Sequence, residues 1–479
     1  MNLWLPVAGP AAVALVTYFV RGTAARRAML VLGAAGNLAA ALVVWLAPGS
    51  ARGDELLRAD ALGTLFLVIT AALFLAVAVY CTGYAATSGT PVSRARADRW
   101  LAPGLLLSVA SMNLVVLSRH FGILWVGVEA TTLATAPLIH HLRTPRSLEA
   151  TWRYLLLCSV GIALALLGTF ALGMAAGPGD VSFRALQLEH LVARAVSLDA
   201  GWLKAAFVLM LVGYGTKMGL APFHTWLPDA HGEAPAPVSA MLSGALLNCA
   251  FLAVLRGFQV CAAAGLLRFA SGLLLAVGLL SLAVGAVFVV GQRDYKRMLA
   301  FSSVEHMGVL ATGVGLGGIG VYGALFHAVN HSVAKALMFL VAGNLLTAYR
   351  SRRAEDVRGA LTASPVEGVL WVCGYFAVSG VPPFGTFFSE FLILQAGLSG
   401  GHVAAGVTYL ALLVIVAVGM AAVILPMVHG QPRGEVRRSL GPWRRVAPAA
   451  FLLIAATLGL WLPPDLHRLL ADAARSLAP

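Results

Sequence analysis

At 479 residues, 59% hydrophobic and only 11% charged, the chain is too apolar for a soluble protein, in which roughly a quarter of residues carry charge. Lys and Arg outnumber Asp and Glu by 33 to 20, a net charge of +13 that in a soluble chain would suggest a nucleic-acid partner. In a membrane chain the same excess is what basic loops on one side of the bilayer produce, so nucleic acid is excluded and a multi-pass protein in a lipid bilayer is predicted.

Apolar stretches bounded by charge, Gly or Pro lie near residues 3–20, 28–47, 61–80, 101–118, 121–139, 154–176, 202–221, 236–255, 270–290, 298–316, 319–346, 365–398, 403–428 and 446–462. Each is far longer than the ~10 residues of a barrel strand and none alternates strictly, so they predict an all-α polytopic fold of about 14 transmembrane helices. The first is followed, not preceded, by Arg21, Arg26 and Arg27, the wrong order for a cleaved secretory signal, and reads as a retained span. Connections after odd-numbered stretches hold 21 Lys and Arg, and those after even-numbered ones hold 8. Short basic loops stay on the cytoplasmic side, which places the odd connections inside and both termini on the outer face of an inner (cytoplasmic) cell membrane. The cysteines, Cys81, Cys158, Cys249, Cys261 and Cys373, stand apart with no C-x-x-C spacing, which argues against an iron–sulfur cluster or structural zinc.

Two stretches are interrupted by proline in the same way. Pro222-Phe223-His224-Thr225-Trp226 is followed by Asp229, and Pro383-Phe384-Gly385-Thr386-Phe387 by Glu390, each acid seven residues after its proline. Val128-Glu129 in the fifth stretch and Val304-Glu305 in the tenth form a second echo. Spans 4–8 thus read as duplicated in 9–13, and an odd offset of five spans inverts one copy. The expected units are flanking helices over 1–100, a first repeat over 101–262, a second over 263–430 and a last helix over 431–479.

Charges at membrane depth cost from a few to above ten kcal/mol, so those present are functional suspects. They are Glu129, Lys217, Glu305, His306, His327, His331, Lys335 and Glu390, with His224 beside the Pro222 break and Asn248 in the eighth span. His327, His331 and Lys335 fall at i, i+4 and i+8 and line one stripe, which can hold water and pass protons. The alternatives are packed core residues, or zinc held by the His-x-x-x-His pair, weakened by the lack of a carboxylate or cysteine in that stretch. Glu129 and Lys217 are expected to form an intramembrane ion pair, either fixed or part of an ion path. Backbone carbonyls freed at Pro222 and at Pro382-Pro383 favour the path, because lipid cannot satisfy them and water in a cavity can. Gly313, Gly315 and Gly318 match G-x-G-x-x-G but follow a membrane span, and no acid stands about twenty residues on. His140-His141 reads as interfacial. No nucleophile–base pair, phosphate loop, haem-like His pair or cluster motif is present, so no cofactor or metal is expected in this chain and any redox chemistry would lie in other subunits.

The segments Lys217-Met-Gly-Leu-Ala-Pro-Phe-His-Thr-Trp-Leu-Pro-Asp-Ala-His231, Asp294-Tyr-Lys-Arg-Met-Leu-Ala-Phe-Ser-Ser303 and His327-Ala-Val-Asn-His331-Ser-Val-Ala-Lys335 resemble the antiporter-like subunits of respiratory complex I, Mrp-type cation/proton antiporters and group 4 membrane-bound hydrogenases. The resemblance covers roughly residues 60 to 430. Val128-Glu129-Ala-Thr-Thr-Leu-Ala-Thr135 and Ser303-Val-Glu305-His306-Met-Gly308 are most similar to the F subunits of hydrogenase 4. It implies fourteen helices, two inverted five-helix repeats with helices 7 and 12 broken, and a polar chain along the membrane plane. Glu129 and Lys217 would be the switching ion pair, His327, His331 and Lys335 the central relay, and Glu390 the exit-side acid. Where several members carry a lysine in span 8, this chain has Asn248, which holds water but no charge, so water or Ser243 would bridge the halves. No long lateral helix like that of the distal complex I subunit is expected after the fourteenth stretch, and the resemblance therefore favours an inner or hydrogenase-type paralogue.

The leading expectation is a proton-translocating subunit of a redox-driven complex. Other membrane subunits and a soluble redox arm would be its partners, with iron–sulfur clusters, a NiFe centre or quinone in those subunits. Alternatives are an Mrp-type cation/proton antiporter subunit, the membrane partner of an inorganic-carbon uptake system, or an assembly scaffold whose path is dead at Asn248.

Overall fold

The computed structural model describes residues 1–47, 49, 53–84, 91–177, 182–432, 436 and 440–477, with side chains omitted over 91–98. Arg52, Arg433, Arg437 and Arg438, counted above with the connections, lie outside the described residues. The described residues are mainly helical, with turns, loops and isolated β-bridges between the helices. In order the helices are α1 (Leu5–Phe19), α2 (Thr23–Leu46), α3 (Ala61–Gly83), α4 (Pro91–Leu117), α5 (Phe121–Ile139), α6 (Pro145–Ala176), α7 (Leu188–Ala193), α8 (Ala200–Met218), α9 (Trp226–Glu233) and α10 (Ala236–Met241). They continue with α11 (Leu247–Ala263), α12 (Leu267–Val289), α13 (Tyr295–Leu316), α14 (Ile319–Tyr349), α15 (Ala360–Ala363), α16 (Pro365–Val378), α17 (Gly385–Ser399), α18 (Val403–Val428), α19 (Trp443–Leu460) and α20 (Pro464–Arg475).

Each apolar stretch read from the sequence coincides with one helix or one broken helix. The seventh crossing is α8, which stops at Gly219 with φ 83° and passes through a turn before α9. The twelfth is α16 and α17, separated around Pro382-Pro383. Boundaries differ where capping overrules hydropathy. Helix α6 starts nine residues before the expected 154, because Thr144 and Ser147 cap its first turn reciprocally and Pro145 sits at its first position. The eighth crossing runs on to Ala263, beyond the expected 255, so Arg256 lies inside α11. Helix α20 was not anticipated. Its Leu469, Leu470 and Ala473 are buried on one face, and it packs along α3 and α14.

Among the described residues eleven helical segments, with Ala236–Ala263 taken as one, are long and apolar enough to cross a membrane on their own. Burial divides them into layers. The most apolar part of Ala236–Ala263 is wholly buried and that of Tyr295–Leu316 is 94% buried, against 33% for Thr23–Leu46. The central helices α10, α11, α13 and α14 therefore meet protein on nearly every face, and these carry most of the polar residues. Lipid gives helices no hydrophobic reason to associate, so close backbone approach must supply packing. At Gly285 on α12, a Cβ would stand 2.5 Å from the Cβ of Glu305, so glycine there brings α12 against the polar helix α13.

Candidate functional site

In the first half of the molecule the polar residues gather on Lys217. Its ammonium, 1% exposed in the last turn of α8, donates to Thr132 Oγ1 on α5 at 2.8 Å and to Tyr154 Oη on α6 at 2.5 Å. It also stands 4.5 Å from the Tyr154 ring centroid. Tyr154 Oη in turn shares a 2.6 Å hydrogen bond with Thr135 Oγ1. The expected direct ion pair with Glu129 is not formed; the ammonium is held by the two hydroxyls instead. Glu129 lies one turn from Thr132, half-buried, and its Oε2 has no hydrogen-bond partner within the chain.

Between the halves stands a neutral segment. A π-helical turn, Leu242–Leu246, joins α10 to α11, and Ser243 from the turn and Asn248 from the start of α11 meet the second half. Ser243 Oγ meets Ser303 Oγ at 2.9 Å. Asn248 Nδ2 donates to Ser332 Oγ at 2.7 Å, and its Oδ1 is buried without a partner. Asn248 thus touches the residue next to His331, on the stripe identified from sequence.

In the second half, Lys335 Nζ donates to Ser302 Oγ on α13 at 2.6 Å. His331 Nε2 faces the Ser243 carbonyl at 3.2 Å, and its ring lies 4.9 Å from that of His306. His306 Nδ1 and His327 Nε2 are 2.8 Å apart, with the rings stacked at 24°. On its other side His306 Nε2 is 3.6 Å from Glu305 Oε2, and His327 Nδ1 is 3.0 Å from Ser389 Oγ on α17. Glu390 follows Ser389, and its carboxylate and the two imidazoles offer ligand atoms all within 4.8 Å of one another. The carboxylate missing from the sequence neighbourhood of the histidines is thus supplied from α17, across the Pro382-Pro383 break.

The remaining sequence candidates divide. His224 sits in the turn after Pro222, 6.4 Å from the rings of Phe288 and Phe301, with no hydrogen bond to Lys217. Asp229, the echo of Glu390, is drawn instead to Arg153 at 2.8 Å and Arg297 at 2.7 Å. These line a cavity of about 280 Å³ with Glu233, Asp294 and Arg352, at the end of the bundle where the basic connections gather. Immediately inside lie two residues that sequence reasoning missed. Lys296, counted as a loop cation, is 2% exposed and donates to the Ala234 carbonyl at 2.7 Å. His231 is fully buried and stacks on Phe339 at 4.9 Å. The signal for Lys296 was its place in the first turn of a helix capped by Asp294.

At the opposite end Asp60 caps α3 and receives Arg256 through two bonds, at 2.7 and 2.8 Å, and Arg119 at 2.7 Å. Burial alone would raise its carboxyl, but the Arg256 and Arg119 guanidiniums hold it well below the usual carboxylate range. The cavity beside it, about 1310 Å³, touches none of the polar-chain residues. Tyr154 and Thr132 were also missed, since single hydroxyls in apolar helices are common and nothing local distinguishes these two.

Over residues 118–418 the sequence matches the transmembrane family described as NADH:quinone oxidoreductase/Mrp antiporter. It is 39% identical over 362 residues to the hydrogenase-4 component F homolog of Methylacidiphilum infernorum (isolate V4), covering 74% of each chain. In fold it is similar to a chain of the membrane-bound sulfane sulfur reductase, an archaeal respiratory membrane complex, with a TM-score of 0.88 at 21% identity over 99% of this chain and 97% of that one. A chain of respiratory complex I from Thermus thermophilus matches with a TM-score of 0.79 at 25% identity, over 96% of this chain and 97% of that one.

Proposed function

Because the chain belongs to the NADH:quinone oxidoreductase/Mrp antiporter transmembrane family, we propose that it is a proton-translocating membrane subunit of a multi-subunit, redox-driven complex of the hydrogenase-4 or complex I type. The observation that carries this reading is the buried polar chain itself. Thr132, Tyr154 and Lys217 gather beside Glu129 in the first half, and Asn248 and Ser332 adjoin the His331, His306, His327 and Glu390 group in the second, so protonatable groups and hydroxyls line helices that otherwise bury apolar side chains. So many polar groups at membrane depth are costly, and proton relays are among the functions that retain them.

The two ends of the chain support partners on both sides. Glu129 and Glu390 are only half-buried and stand beside exposed apolar residues, Val126 and Leu133 for the first, Phe388 and Phe391 for the second. Lipid cannot solvate these acids, and neighbouring membrane subunits would cover them. A soluble redox arm would carry the electron-transfer groups, iron–sulfur clusters with a NiFe centre or quinone. The end holding Arg146, Arg153, Arg297 and Arg352 would face the cytoplasm, with both termini outside an inner cell membrane. Residues 101–262 and 263–430 would be the inverted units, each with one broken helix. In the mechanism, changes in the redox arm alter the charge facing Glu129, Lys217 leaves or rejoins the Thr132–Tyr154 pocket, and the change in field across the neutral segment drives proton transfer between the histidines, Lys335 and Glu390.

Lys217→Ala and Lys335→Ala, each in the assembled complex in membrane vesicles, are expected to abolish redox-driven proton translocation with membrane insertion intact. Normal pumping by both variants would refute the relay. Purification with gentle detergent identifies the assembly: hydrogenase or quinone-reductase subunits are expected to travel with the chain, whereas small antiporter subunits alone would point to a cation/proton exchanger.

A further inference from the structure

We propose that His306, His327 and Glu390 form a binding site for a divalent transition-metal ion, best suited to Zn²⁺, and that the bound ion takes the place of the hydrogen bond between the two imidazoles. Among the described residues these three make up the one group of imidazole and carboxylate ligands close enough to share an ion. Two histidines and a glutamate with a fourth position left for water are a donor set that zinc accepts, and the sulfur ligands that would select other soft ions are absent from it.

The surroundings are arranged as such a site requires. A metal-bound imidazole needs one nitrogen bare toward the ion and the other donating to a fixed acceptor. With its hydrogen on the Thr386 carbonyl at 2.9 Å, Ser389 Oγ is an acceptor for His327 Nδ1, 3.0 Å away. In that tautomer His327 carries its proton on Nδ1 and presents a bare Nε2. That lone pair points at His306 Nδ1, 2.8 Å off, which in the metal-free arrangement donates to it. When the ion arrives, the His306 proton moves to its own Nε2, which has no hydrogen-bond partner and stands 3.6 Å from Glu305 Oε2. Both bare nitrogens then face the ion, with Ser389 Oγ in place as the acceptor for His327 Nδ1 and Glu305 Oε2, 3.6 Å from His306 Nε2, able to become one after a shift of about half an ångström. No proton need leave the histidines, and a carboxyl proton on Glu390, where present, goes to solvent. Zinc–nitrogen bonds of about 2.0–2.1 Å set ligand atoms roughly 3.3 Å apart, between the 2.8 Å nitrogen separation and the 4.8 Å span of the set, so side-chain shifts of about an ångström suffice.

The binding half of the proposal stands on geometry alone. The blocking half rests on the relay reading, since an ion in place of the His306–His327 hydrogen bond would interrupt proton transfer. The test uses the full-length chain in detergent, titrated with Co²⁺ and then displaced by Zn²⁺. One equivalent is expected, with the visible absorption of low-coordinate Co²⁺. Affinity should fall at least about tenfold in His306→Gln and in Glu390→Gln but hold in His331→Gln. X-ray absorption at the zinc edge of the unaltered chain checks the ligands without any variant. Two imidazoles with oxygen support the site, and a spectrum without imidazole, or no saturable binding, overturns it. In the assembled complex Zn²⁺ should stop proton translocation at the concentration that fills the site. A filled site with undiminished translocation would overturn the blocking half and count against the relay, while the metal site would stand.

Discussion

Replacing Tyr154 with Phe isolates the contact that the sequence did not reveal. The substitution deletes one oxygen and leaves the ring in place, so the face that stands 4.5 Å from the Lys217 ammonium is kept, with its attraction of about 0.5–2 kcal/mol. What is lost is the 2.5 Å bond from the ammonium to Tyr154 Oη and the 2.6 Å bond between that oxygen and Thr135. A hydrogen bond to a charged group contributes about 1.5–3 kcal/mol. Thr132 Oγ1 remains as a partner at 2.8 Å and recovers part of this, which leaves a net of about 2 kcal/mol against the ammonium in this pocket, or roughly 30-fold in its occupancy. If Lys217 works by leaving and rejoining the pocket, redox-driven proton translocation in vesicles should fall about tenfold or more, while assembly, judged by co-purification, stays intact. Thr132→Val should act in the same direction. Full pumping by Tyr154→Phe alongside a dead Lys217→Ala would show that the tyrosine only packs, and the hydroxyl pocket would lose its role.

Asp60→Asn should lower the melting temperature of the purified chain without touching the relay, since it leaves Arg256, 2% exposed, without its carboxylate at a cost of about 3 kcal/mol. The folded Asp60 carboxyl is held below its unfolded value of about 3.9, so its contribution is complete above about pH 4 and is lost as pH falls through the folded value. The gap in stability between the unaltered chain and Asp60→Asn should thus stay constant across neutral pH and close only in strong acid; a gap that narrows between neutral pH and about pH 5 contradicts the assignment. Asn248→Lys should assemble and pump, because the site already offers Ser332 Oγ and two carbonyls, of Gly244 and Ala328, to a donor; failure to assemble would mean that Asn248 only packs.

Hydropathy located every crossing because a helix in lipid must be apolar for about 20 residues whatever it packs against, and proline located both breaks because it removes a backbone donor wherever it falls. Charged residues at membrane depth stood out for the same reason, since Lys217, Lys335, Glu305 and Glu390 have no neighbours of their kind. What stayed hidden depends on contacts between distant positions. The partner of Lys217 is set by a tyrosine 63 residues away and a threonine 85 away, and neither differs locally from other hydroxyls in apolar helices. Asp229 repeats the spacing of Glu390, yet it meets Arg153 and Arg297 at the bundle end while Glu390 meets histidines. Spacing along the chain fixed the offset from the proline but not the depth, because α9 is only 8 residues long and the chain emerges within two turns. The partner of His327 was hidden in a similar way: it is His306 on another helix, and the nearby Glu390 carboxylate comes from a third.

The neutral segment decides how the two halves can communicate. On the side of His331 toward the first half, the hydrogen-bonded groups are amide, hydroxyl and carbonyl: Asn248, Ser332 and Ser243. None of them gains or loses a proton near neutrality, so a resident charge cannot be handed across in one step as it could through a lysine. Two routes remain. A water joined to the unpartnered Asn248 Oδ1 can carry a proton by exchange, or the displacement of Lys217 can act on His331 and Lys335 through its field alone, which a low-dielectric interior transmits far better than water does. The routes separate under substitution. Asn248→Leu removes the place for a water and leaves the charges where they are, so a water wire would break while field coupling would persist or strengthen.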